Sequence, residues 1–202
     1  MRPTSIRLPH SGLTVPHTGY TVTSFKGHET HDGIAFTATL RLNKKIIGRI
    51  ENHGCGGPDT FYPNSACGYR QQMETLEAFA ALCTDARDGT PTLEAVLGDL
   101  VTEYETSRDI ARAAKGGHIL LRMMQDHEFG DGPMGWPSPG ASTEAPPALA
   151  ADHARLRAFL LADPDLAPHA LAWWQTWNAD TGTWTDVTSR PPHLPADPAP
   201  GA

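Results

Sequence analysis

Four residues of this 202-residue chain have the chemistry of a zinc site: His28, His53, Cys55 and Cys67. Zinc accepts imidazole nitrogen and thiolate sulfur in tetrahedral sites, and the glycines around Cys55 would let such ligands converge on a turn. His31 is an alternative fourth ligand. The spacing lacks the paired CxxC knuckles, or CxxC with HxxxH, of established zinc modules. The run KGHETHD (26–32) adds Glu29 and Asp32 to His28 and His31, side chains suited to general acid–base work. A deaminase would also need a later Pro-Cys-x-x-Cys, which is missing. The plainer reading of this run is a polar connection between strands. The expectation is therefore no catalytic residue and no cofactor, with zinc as the alternative.

Gly54, Gly56 and Gly57 invite comparison with a phosphate loop. Such loops open a helix after a buried strand and carry Lys-Ser/Thr. Here Pro58 follows the glycines, and the preceding segment is amphipathic. A wide turn leaving a hairpin accounts for them. Arg108, Arg112 and Lys115 share one face near the end of a long helical pattern, with Arg122 just beyond, and could meet phosphates. Basic residues at a helix C-terminus also interact favourably with the helix dipole and need no ligand. Trp173, Trp174, Trp177 and Trp184 crowd a short C-terminal segment. They either dock on the protein itself or form an aromatic contact for a protein partner.

Composition narrows these options. The net charge of −7 opposes general attraction to nucleic acid or anionic membrane. No apolar run approaches the ~18 residues of a membrane helix. The N-terminal stretch has no continuous apolar region of a secretory signal, which predicts a cytoplasmic protein. Three cysteines form no even disulfide framework.

The elements that must position these groups follow from periodicity. Ile34, Phe36, Ala38, Leu40 and Leu42 alternate with polar residues, the pattern of a strand with one buried face. Asn43–Lys45 is a turn, and 46–50 returns as the second strand of a hairpin. Residues 20–25 make a first strand, 60–62 a short fourth. Apolar three- and four-residue steps predict a helix over 71–87 and a longer one after Thr90-Pro91, ending at Gly116-Gly117. A short strand follows over 119–123. Five prolines and three glycines mark 131–147 as a linker. A short helix over 151–161 and a hairpin over 171–187 complete the pattern.

The predicted fold class is α+β: a three- to four-stranded antiparallel meander covered by two helices, plus a C-terminal helix and Trp-rich hairpin. Predicted boundaries are a flexible arm (1–18), the core domain (19–129), the linker (130–147), the helix and hairpin (148–188) and a disordered tail (189–202).

Gly27-His28-Glu29, Phe36-Thr37-Ala38-Thr39-Leu40 and Gly54-Cys55-Gly56-Gly57 resemble the N-terminal strand block of small uncharacterised proteins of actinobacteria and their phages. The later RAAKGGHILLR is similar to a basic helix end and strand in the same group. The resemblance implies a mobile-element or phage-type accessory role and brings no activity with it. The expectation is a non-enzymatic protein that binds a macromolecular partner, most readily a protein. A metal-dependent enzyme or zinc-stabilised binder, and a nucleic-acid binder, are the alternatives.

Overall fold

The computed structural model describes residues 5–64, 68–85, 89–129, 132–133 and 137–194. The fold is α+β, as expected, and the chain divides into two compact units, Met1–Ser107 and Arg108–Ala202. No helix among the described residues is long and apolar enough to cross a membrane.

The first unit is built on a four-stranded antiparallel meander. Its strands are β3 (Tyr20–Glu29), β4 (Ile34–Leu42), β5 (Lys45–His53) and β6 (Thr60–Pro63), paired in chain order. The alternation in β4 orients it: Ala38 and Leu40 are fully buried, and Phe36 and Leu42 pack against the same core. Ile34, at the strand's end, is 54% exposed. Asn43 and Lys44 both take positive φ, as a two-residue hairpin turn requires.

Helix α1 (Tyr69–Ala80) and helix α2 (Leu93–Lys115) cover that inner face, through Leu76 and Phe79 from the first and Val96, Leu97, Leu100 and Val101 from the second. The helix starts at Leu93 rather than after Thr90, because the Thr92 hydroxyl accepts the Ala95 N–H at 3.2 Å and caps it. It ends as glycine spacing predicts. Gly117 takes φ 72°, and the N–H groups of Gly117 and His118 return to the carbonyls of Ala114 and Ala113. The first helix stops earlier than its apolar stripe suggested: Cys83 lies beyond it, and Thr84 pairs with Thr14.

Residues 5–18 differ from the expected flexible arm. The two short strands β1 (Ile6–Arg7) and β2 (Thr14–Val15) pair with each other, and Leu13 and Val15 are 1% exposed within the core. Glu103 accepts the backbone N–H groups of His10 and Ser11 at 2.9 and 3.0 Å. Burial of two aliphatic side chains and a carboxylate clamp hold the segment, though no period in its sequence announces this.

The second unit carries another four-stranded antiparallel sheet, made by β7 (Ile119–Gln125), β10 (Ser138–Ala145), β11 (Ala172–Asn178) and β12 (Thr183–Asp186) in the order β10-β7-β11-β12. A two-stranded ribbon, β8 (Glu128–Phe129) with β9 (Gly132–Pro133), lies between β7 and β10 in the chain. The expected linker is thus corrected over Ser138–Ala145: it is an edge strand, with a register irregularity between Pro139 and Ser142 that fits proline and glycine into the ladder. Strand β7 pairs with β10 and β11, so it belongs with the C-terminal hairpin and not with the first domain. Helices α3 (Pro147–Ala150) and α4 (His153–Ala162) cover one face of this sheet, where Leu156 and Leu160 meet Leu121 and Trp174. The Asp152 carboxylate accepts the Arg155 N–H at 3.0 Å and caps α4.

Candidate functional site

The outer face of the meander is positioned by one irregularity in β3. Thr23 pairs with Thr39, but the next pair is Lys26 with Thr37, so β3 has one extra residue at Ser24-Phe25. Ser24 sits at φ 56°, the left-handed conformation of a β-bulge residue. Before the bulge, even-numbered Tyr20 and Val22 face the core. After it, the parity is reversed. Lys26 and His28 stand on the outer face, and Phe25 turns inward to pair with Phe36, their ring centroids 5.2 Å apart. The run KGHE is therefore strand, and not the polar connection expected from its composition.

Register then assembles a trough. Ala35 pairs with His28 on one side and His53 on the other, and Thr37 pairs with Lys26 and Glu51. Small side chains on β4 make the floor, and longer ones on β3 and β5 make the walls. Adjacent strands lie about 4.8 Å apart, so the His28 and His53 backbones stand roughly 10 Å from each other. The groove between them has a volume of ≈ 350 Å³. Lys26, His28, Thr37 and His53 are exposed, whereas Ala35 is buried beneath its neighbours. On the next rung Arg49 pairs with Glu51 in an ion pair and lies over the Tyr62 ring, 5.2 Å from its centroid.

The glycine turn closes one end of the trough. The Asn52 side chain fixes it: its carbonyl accepts the Gly54 N–H at 2.8 Å, and its amide donates to the Gly57 carbonyl at 3.1 Å and to Asp59 at 2.7 Å. Burial raises the pKa of Asp59, an effect partly offset by that Asn52 hydrogen bond. Thr30 Oγ1 donates to the carbonyls of Gly33 and Gly54, which ties the two loops at this end of the sheet together. Gly54 needs its glycine, because a Cβ there would stand 2.5 Å from the Ala35 nitrogen. The turn holds no phosphate-loop geometry: no helix follows it.

Of the four zinc candidates, the fold brings His28 and His53 to one face and leaves Cys55 exposed on the adjoining turn. Cys67 lies outside the described residues. Among the described residues, no three His, Cys, Asp or Glu side chains are grouped so as to hold a metal ion.

The tryptophans separate. Trp173 and Trp174 are each 1% exposed and belong to the interior, which corrects their reading as partner contacts. Trp174 Nε1 donates to the Leu166 carbonyl at 2.7 Å, and Trp173 Nε1 to Asp186 at 3.0 Å, so each ring buries with its polar edge satisfied. Trp177 and Trp184 are half-buried, with centroids 5.2 Å apart.

The expected basic cluster divides too. Arg108 and Arg112 both pair with Asp109, and Lys115 ends the helix. Arg122 does not join them. It is 8% exposed, donates to the Gln175 side chain at 2.9 Å, and lies 4.0 Å from the Trp184 ring centroid.

Lys26, Thr37, Glu51 and Asn52 are among the trough residues that composition and spacing do not single out. The signal was present at Phe25, an apolar residue at an odd position after apolar Tyr20 and Val22, which marks a change of parity. Compared with known proteins, the chain matches no family model, no curated protein and no solved structure.

Proposed function

We propose that this protein is a non-enzymatic binding protein whose contact surface for a protein partner is the outer face of the β3–β6 meander. The observation that carries the reading is the one-sided roof of that sheet. Both helices pack on its inner face, and its outer face presents an exposed trough with a regular, rigid floor. A sheet face holds its side chains in fixed register, which suits recognition of an extended partner segment. The resemblance of this same strand block to small actinobacterial and phage proteins supports an accessory role in a mobile element or phage.

The reading is tested by placing a photo-reactive side chain at Thr37, on the trough floor, and at Glu94, exposed at the start of α2. Irradiation in an actinobacterial host extract should give one discrete protein adduct from position 37 and none from position 94. Absence of an adduct at 37, or the same adducts from both positions, would reject the outer face as the contact surface.

A further inference from the structure

The trough's chemistry identifies the kind of segment it takes. Lys26, His28 and His53 line it, and none of the three side chains makes a hydrogen bond or ion pair among the described residues. In a chain of net charge −7, this face brings together a lysine ammonium and two imidazole rings that can donate hydrogen bonds. The acid facing them, Glu51, is already paired with Arg49.

The turn that follows His53 adds donors. Gly54 and Gly56 take φ 68° and 72°, and Cys55 between them does not take positive φ. Left-handed residues alternating with others are one ingredient of backbone anion nests. The N–H groups of Cys55, Gly56 and Gly57 have no acceptor among the described residues, and all three residues are exposed. Side-chain cations and backbone donors are thus independent features, and both select for an anion.

We propose that the trough along β4 binds an extended acidic segment of a partner protein, with its carboxylates held by Lys26, His28, His53 and the amides of Cys55–Gly57. This rests on the outer face being the contact surface. Carboxylates accept charge-assisted hydrogen bonds from such donors, and complementary charge fixes register and partner choice. A peptide fits better than a single nucleic-acid strand. Base binding needs free aromatic platforms, whereas the Phe36 ring packs against the core and the Tyr62 ring on the next rung lies under Arg49. The overall negative charge also opposes a long polyanion more than a short acidic segment.

The test uses the full-length protein and a fluorescent eight-residue peptide of alternating Glu and Thr. Its controls are the Gln-for-Glu analogue and an eight-nucleotide oligothymidylate, each followed by anisotropy at low and moderate salt. The Glu peptide should bind at least tenfold tighter than either control. Lys26→Gln, His28→Gln and His53→Gln should each weaken it about three- to tenfold, while Arg112→Gln leaves it unchanged. Thermal midpoints of the variants serve as a check on folding. Equal binding of the Gln peptide, or no effect of the three substitutions, would overturn the proposal. Tighter binding of the oligonucleotide would replace it with a nucleic-acid site. An adduct from position 37 that survives all three Gln substitutions would reject the acidic ligand and leave the contact surface standing; no adduct would reject both.

Discussion

His28 and His53 flank the same residue, Ala35, from opposite sides of strand β4. Nothing in the spacing of the two histidines sets this up. It follows from the bulge at Ser24, which moves His28 from the core-facing parity of Tyr20 and Val22 to the outer parity it shares with His53. A single extra residue in an edge strand therefore decides which side chains the sheet offers to solvent.

Replacement of Ser24 by glycine should test that bulge. A non-glycine residue at φ 56° carries a left-handed strain of about 1 kcal/mol, which glycine relieves. Ser24→Gly should raise the urea midpoint slightly and leave peptide binding intact. Deletion of Ser24 should remove the bulge and set Phe25 opposite Ala38 in a regular ladder, with Lys26 still opposite Thr37 and peptide binding retained. Insertion of a second residue there should instead disturb the register and weaken binding.

Gly54 and Gly56 share a left-handed backbone but differ in surroundings. A Cβ on Gly54 would meet the Ala35 nitrogen at 2.5 Å and Thr30 Cγ2 at 2.7 Å, whereas one on Gly56 meets nothing within 4 Å. Gly56→Ala should cost only the conformational strain, about 1 kcal/mol. Gly54→Ala should cost clearly more, since backbone must move as well. Chemical denaturation of the two variants distinguishes them, and equal losses would contradict the packing described at Gly54.

Trp173→Ala should be severely destabilising, by about 3–5 kcal/mol, because it empties a buried site and removes the donor to Asp186. Trp177→Ala should cost much less, its ring being partly exposed. Urea unfolding followed by far-ultraviolet circular dichroism measures both. The ordering would reverse if the hairpin presented Trp173 to solvent.

Asp99 gives the stability a definite pH dependence. Burial, reinforced by the charges of Asp85 and Glu103, raises its pKa from 3.8 to about 7. The folded protein then holds a proton that the unfolded chain has released between those values. Asp99's contribution is greatest below pH 4, declines as pH rises to about 7, and is constant above that. Asp99→Asn should therefore be more stable than the parent at pH 8, by an amount on the order of a few kcal/mol. The advantage should shrink as pH falls towards 4. Thermal midpoints of the two proteins across pH 4–8 give the comparison, and a constant difference would rule out this ionisation as the cause.

The order of residues was enough to determine the local elements. Alternation from Ile34 to Leu42 reflects one buried face, the stripes around Leu76 and Leu97 reflect helices laid on it, and Gly117 ends α2 because only the left-handed cap satisfies its last carbonyls. Tertiary structure alone decided where the remaining residues went. Leu13 and Val15 are ordered by a core made of distant segments, and Ser138–Ala145 becomes a strand because β7 offers it an open edge. Trp173 and Trp174 are interior because a four-stranded sheet forms around them, where an isolated hairpin would have left one face wet. Periodicity records the environment of neighbouring residues along one element. Burial, strand partners and the face reached after a bulge depend on contacts between elements far apart in the chain, and those are settled only when the whole unit packs.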